Sequence, residues 1–155
     1  MNNPIIGFSR TLSLFICNRI KFDKTIINKE IVMPDGQFFT IFRRVSIMVP
    51  GKTSAPKAYF LVRFKPKNMG LKENIKFSRL PMMIFMGFKG FRSKYWAVNY
   101  KTGVCQGLYE WQTVKDAENY SKSIAMKFMT KRSYPESVDY RIIDLEKESL
   151  KYEIK

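Results

Sequence analysis

Between residues 57 and 144, apolar blocks and chain breakers follow one another as strand, helix, strand, strand, helix, strand, the split βαβ pattern. Residues 58–64 are rich in aromatic and branched side chains and stop at Pro66, as a strand does. Residues 71–80 read as a helix. Pro81 should kink or end it and leave Met82–Met86 as a short further turn. Gly87 and Gly90 punctuate before two strands, 91–100 and 104–112. Thr113 caps a helix running from 114 to about 132, with Asp116 three residues on as an acidic variant of the capping box. Tyr134-Pro135 breaks that helix, and residues 138–143 supply the fourth strand. The expected fold class is therefore α+β, a ferredoxin-like βαββαβ core.

Residues 1–56 read as an N-terminal extension. Residues 8–21 place Phe8, Leu12, Phe15, Ile16 and Ile20 on one helical face, expected to pack on the protein's own sheet rather than on a membrane. Pro34-Asp35-Gly36 reads as the turn of a β-hairpin. The segment Pro50 to Pro56 is a linker by composition and sets the boundary with the core, 57–144. The charged tail 145–155 is expected to fray.

The sequence contains no histidine, which removes the commonest general base, zinc ligand and proximal haem ligand together. Two cysteines, Cys17 and Cys105, make no disulfide framework and read as small apolar side chains. No metal and no cofactor is expected. No apolar run approaches the ~20 residues that cross a bilayer, and the apolar stretch 14–17 is too short for a signal peptide. A cytoplasmic protein is expected. The net charge of +15 lies wholly in residues 1–101, because basic and acidic side chains cancel in 102–155. Such an excess attracts nucleic acid, anionic lipid or an anionic ligand, or simply forms a basic surface.

The loop Lys101-Thr102-Gly103, with glycine in the left-handed position, predicts a three-residue hairpin flanked by Tyr100 and Val104. Counting back sets Tyr95 opposite Tyr109, Ser93 opposite Trp111, Ala97 opposite Gly107 and Asn99 opposite Cys105. On the other face Lys94 meets Glu110, a favourable cross-strand pair. In that register Tyr95, Tyr109 and Trp111 share a face with small neighbours and with Asn99. Large rings beside missing side chains suggest a small-molecule pocket, closed by Tyr120 and lined by Met82, Met83 and Met86. A filled core with the same rings is the alternative. Lys94 or Arg141 would favour an anionic ligand if they reached the pocket.

The segment Arg92-Ser93-Lys94-Tyr95-Trp96, then residues 103–111 through Tyr109-Glu110-Trp111, and the helix carrying Asp116 to Tyr120 resemble the dimeric α+β barrel proteins. These include antibiotic-biosynthesis-type monooxygenases and related small proteins, and the resemblance covers roughly residues 57–144. It implies a homodimer whose sheets pack into a barrel, with a small hydrophobic or aromatic ligand between each sheet and its helices. The haem-degrading branch uses an Asn on the first strand, a Trp on the last helix and an axial His. Here the first strand has no Asn, Tyr120 falls at the Trp position, and Thr130 falls near the His position. Haem cleavage through that ligand set is not expected; the cofactor-independent branch implies instead that a deprotonated phenolic or quinol-like substrate itself passes an electron to dioxygen. That reading lacks a base, which only an unusually placed Lys, Glu or Tyr would supply.

Two other readings compete. One is a non-enzymatic homodimeric binding or structural module. The other is a basic RNA-binding βαββαβ domain, ranked lower because Arg92 and Ser93 replace the small and aromatic residues that should follow Lys89-Gly90-Phe91.

Overall fold

The computed structural model describes residues 3–50 and 55–155; most of the predicted linker lies outside the described residues. Helix α1 (Pro4–Ile16) and strands β1 (Ile20–Phe22), β2 (Glu30–Val32) and β3 (Phe38–Ile47) precede the core. The core comprises β4 (Ala58–Phe64), α2 (Leu71–Phe77), α3 (Arg79–Phe85), β5 (Phe91–Val98), β6 (Cys105–Trp111), α4 (Val114–Ser121), α5 (Ile124–Lys131) and β7 (Asp139–Asp144). A two-residue strand, β8 (Glu153–Ile154), follows.

The sheet is antiparallel in the order β7-β4-β6-β5-β3-β2-β8, with β1 also paired to β3. Counting only the core strands, the first four positions read fourth-first-third-second, the ferredoxin-like order. β3 pairs along β5, so residues on both sides of the predicted linker belong to one sheet. The hairpin between β2 and β3 turns at Gly36, whose φ of +78° suits glycine.

Both helical segments are broken, the first close to the interruption expected at Pro81 and the second where one helix was expected from 114 to about 132. The first breaks at Ser78, three residues before Pro81, which then sits in the first turn of α3 where a missing N–H costs nothing. Arg43 from β3 holds the break, donating to Ser78 Oγ (2.7 Å) and the Ile75 carbonyl (3.1 Å). The second breaks at Ser123, whose hydroxyl caps the Met126 N–H and starts α5. Thr113 caps α4 as expected, accepting from Asp116 N–H and donating to its carboxylate.

Two faces of the sheet are buried separately. The helices cover one, in a core built on Phe60, Phe85, Tyr109, Trp111 and Tyr120. The other gathers Ile31, Phe39, Ile41, Tyr95 and Leu108 under residues of the C-terminal segment. The tail does not fray there. β8 pairs with β2, and Tyr152 packs edge-on against both Tyr59 and Tyr95 (6.2 and 6.3 Å between centroids). Leu150, Tyr152 and Ile154 alternate inward, as a strand's side chains do.

Helix α1 also differs from expectation. Its buried side is the small one, Gly7 and Thr11, laid against α3 and the following turn, while Phe8, Leu12, Phe15 and Ile16 face outward. Gly7 and Gly87 are in backbone contact: a Cβ on Gly87 would sit 1.8 Å from the Gly7 carbonyl oxygen.

Candidate functional site

The central hairpin is shifted by one residue from the predicted register. Asn99 explains the shift. Its side-chain oxygen accepts from the N–H groups of Lys101 (3.0 Å) and Thr102 (3.1 Å), and its backbone pairs with Val104 and Gly103. The loop therefore holds the four residues Tyr100 to Gly103, with Gly103 left-handed at φ +75°. Lys94 then faces Tyr109, Trp96 faces Gly107, Tyr95 faces Leu108 and Ala97 faces Gln106. A bulge at Arg92 returns Phe91 to face Trp111. Glu110 loses its predicted partner and accepts from Ser93 Oγ instead (2.5 Å).

A one-residue shift exchanges the two faces of β5. Tyr95 leaves the predicted set and lies on the opposite face, under Tyr152 and beside the Arg44 guanidinium (4.6 Å to the ring centroid). Asn99 is a turn former. Lys94 moves the other way, to the helix-covered face. Tyr109, Trp111 and Tyr120 remain together there, with Trp111 fully buried and Tyr109 and Tyr120 in ring contact (4.8 Å). Met82 and Met86 are packed in the core beside them and do not line the cavity. Arg141 lies exposed on β7, paired with Glu148.

Beneath the helices this face encloses a cavity of about 70 Å³. One water needs about 10–15 Å³ measured in this way, so the space suits several waters or one compact ligand of roughly single-ring size. Its walls are mostly apolar, from Phe64, Phe77 and Phe85 to Phe128, and Lys94, Tyr109 and Tyr120 supply polar atoms. Gly107 opens the space: a Cβ there would meet Tyr109 at 2.9 Å and Lys94 at 3.2 Å.

Lys94 is the unusual member. Its side chain is buried, and among the described residues no carboxylate pairs with it. Nζ lies 2.5 Å from Tyr109 Oη and 4.1–4.6 Å from the ring centroids of Tyr109, Trp96 and Phe85. Burial, reinforced by the nearby Arg43 cation, pushes the amine well below the ordinary lysine range. Tyr109 Oη in turn lies 2.6 Å from Tyr120 Oη. Burial pushes both phenols upward, so both stay protonated. The result is a row of two protonated phenol hydroxyls ending at a buried amine whose charged form burial disfavours. The Cys105 thiol nearby is pushed up to about 12 by burial, which leaves it unreactive as a nucleophile at neutral pH. Sequence reasoning named Lys94 only as an anion contact, conditional on its reaching the pocket, because the predicted register set it on the opposite face across from Glu110. The available signal was a lone cation within the otherwise uncharged run from Ser93 to Asn99.

No family model and no curated protein matches this chain. Solved structures do. An uncharacterised ferredoxin-fold protein related to antibiotic biosynthesis monooxygenases, from Listeria monocytogenes, superposes with a TM-score of 0.54 at 9% identity. That match covers 69% of this chain and 63% of that protein, so the chain spans less than two thirds of it. A heme-degrading enzyme from Listeria monocytogenes superposes with a TM-score of 0.55 at 10% identity, over 86% of this chain and 91% of that one. The chain thus has the ferredoxin-like α+β fold of monooxygenase-related proteins. A haem does not fit the residues present: histidine is absent, the two cavity tyrosines are held as neutral phenols, and the cavity is far smaller than a porphyrin. Among the described residues no cluster of metal-ligating side chains forms, and no helix is long and apolar enough to cross a membrane.

Proposed function

We propose that this protein binds a small phenolic ligand in the cavity under its helices and that Lys94 removes the phenolic proton, preparing the ligand for attack by dioxygen without an organic cofactor. The observation that carries this reading is the buried, carboxylate-free Lys94 amine in contact with Tyr109 at the cavity wall. An amine whose charged form burial disfavours is the kind of base that the histidine-free sequence otherwise lacks.

The proton passes from ligand oxygen to Lys94 Nζ, giving a phenolate beside an ammonium. In an apolar, water-poor space that ion pair is held more strongly than in water. The row of Tyr109 and Tyr120 hydroxyls donates toward the phenolate oxygen. An electron-rich phenolate transfers an electron to dioxygen, a carbon–oxygen bond forms, and loss of water gives the quinone. One phenol and one dioxygen yield one quinone and one water.

4-Nitrophenol tests the first step, because its phenolate is yellow and its neutral form is not. Bound to the wild-type chain it should turn yellow below its ordinary titration point, and Tyr120→Phe, by removing one donor, should weaken that shift by roughly 10-fold. Single-ring phenols in air should consume dioxygen and yield quinone, with none formed under argon. Phenolate formation without dioxygen uptake would leave a binding protein; neutral bound phenol would end the proposal.

This reading makes one chain the functional unit. The sheet face through which a partner's sheet would pack is already covered by Tyr152 and its neighbours from the same chain. Sedimentation should therefore give the 18.3 kDa species. A species of twice that mass would restore the dimer.

A further inference from the structure

Helix α1 presents the reverse of an ordinary surface helix, whose apolar stripe faces the core. Ile5 and Ile16 are 75% and 77% exposed, and Ile6, Leu12 and Phe8 about half exposed, while the buried positions are Gly7 and Thr11. The apolar surface continues beyond the helix: Phe15 stacks on the partly exposed Phe22 of β1 (6.4 Å between centroids), and Met48 and Val49 lie exposed after β3. A contiguous exposed patch of this kind marks an interaction surface.

A groove runs along the other flank of the helix. Arg10, Arg19, Lys89 and Arg92 all line it, together with Met48 and Val49, and among the described residues no carboxylate does. Its volume of about 390 Å³ suits a phosphate-bearing headgroup with its glycerol. The Met48 N–H donates to the Arg19 carbonyl (2.8 Å), which fixes the apolar rim beside the basic wall. The helix itself carries Arg10 as its single charge. Four cations beside an outward-facing run of Ile, Leu and Phe match an interface of acyl chains beneath anionic headgroups.

We infer that α1 and the basic groove beside it seat this protein on an anionic phospholipid surface, with the apolar side chains entering the acyl boundary and the groove taking a headgroup phosphate. A second copy of the chain is a poor occupant, since each copy carries a net charge of +15. The exposed apolar surface runs past the helix to Phe22, Met48 and Val49, a breadth that fits a fluid surface better than a partner helix, which contacts a narrow stripe.

Flotation of the full chain with vesicles tests this. Vesicles of phosphatidylcholine and phosphatidylglycerol in equal parts should carry the protein, and phosphatidylcholine alone should carry roughly tenfold less or lower still, given the contribution of each basic side chain. Binding should fall as salt rises. The double variant L12D/I16D, altered only at exposed positions, should lose binding to both vesicles while keeping its circular dichroism spectrum. R10E/R19E should lose the preference for the anionic vesicles. Equal recovery with both vesicle types, or with neither, would overturn the inference. So would a dimer of the free chain that L12D/I16D dissociates, because a second copy would then cover the patch.

Discussion

Replacing Lys94 with methionine is expected to make the protein more stable and inactive at once. Methionine fills a similar volume and brings no polar atom to a site ringed by Phe85, Trp96 and Tyr109. Tyr109 keeps Tyr120 as a hydrogen-bond partner, so no phenol is stranded. A buried amine without a carboxylate partner costs about 1–3 kcal/mol in desolvation, a cost methionine does not carry. For a chain of this size each kcal/mol moves the melting temperature by roughly 2–4 °C. The sign of the pH dependence follows from the lowered amine pKa. Between the folded value and the ordinary value of 10.5 the unfolded chain binds the proton and the folded chain does not. Stability therefore rises with pH through that window, by up to about 1.4 kcal/mol per unit. Tyr109 and Tyr120, shifted upward, act oppositely and draw stability down above their ordinary value of 10. Thermal melts across neutral to alkaline pH should show the wild-type chain gaining on the variant up to the ordinary lysine value, while the tyrosines, present in both, lower both curves above 10. A Lys94→Met protein that melts lower, or that differs from wild type by the same amount at every pH, would show the amine to be an ordinary structural lysine. A protein that keeps an awkward buried amine whose removal stabilises it is keeping it for chemistry.

Gly87→Ala should release α1. The added methyl would lie 1.8 Å from the Gly7 carbonyl oxygen and 2.7 Å from its carbon, both rigid backbone atoms. Neither backbone can yield while α1 stays seated, because Gly7 is itself pressed against the Ile84 carbonyl and the Phe88 ring. Once detached, a helix of 13 residues is marginal in water. Helical ellipticity should drop by about the contribution of α1, and protease should cut between α1 and β1. Phenol binding should persist, since no residue of α1 lines the cavity. Wild-type ellipticity with full protection would mean that the two glycine segments part without cost. The substitution therefore tests whether α1 is held by that one close contact.

The strand and helix order of the core was legible because Pro66, Gly87, Gly90, Gly103 and Pro135 interrupt apolar runs where local chemistry demands it. The ferredoxin-like order followed from that pattern. What escaped was decided by single side chains acting on the backbone. Asn99 lengthened the hairpin loop by one residue and so exchanged Tyr95 for Lys94 at the site. Ser78 set the first helix break three residues before the expected Pro81, and Ser123 broke a helix that periodicity alone runs through. Tyr109, Trp111 and Tyr120 stayed together because they do not depend on the register of β5. The alternation at Leu150, Tyr152 and Ile154 was visible, yet the surrounding charges drew attention to disorder. The outward turn of α1 was least legible, because an amphipathic pattern does not say which side a glycine contact will choose.

The pairing of β8 with β2 joins opposite ends of the chain. Contacts so distant in sequence close late, since a long loop must surrender its freedom before they form. Until Ile154 reaches Ile31, the face bearing Phe39, Tyr95 and Leu108 has no lid. Until that segment is made and docked, the growing sheet therefore shows an apolar side to its surroundings, a burden that falls on whatever shields nascent chains rather than on the fold itself.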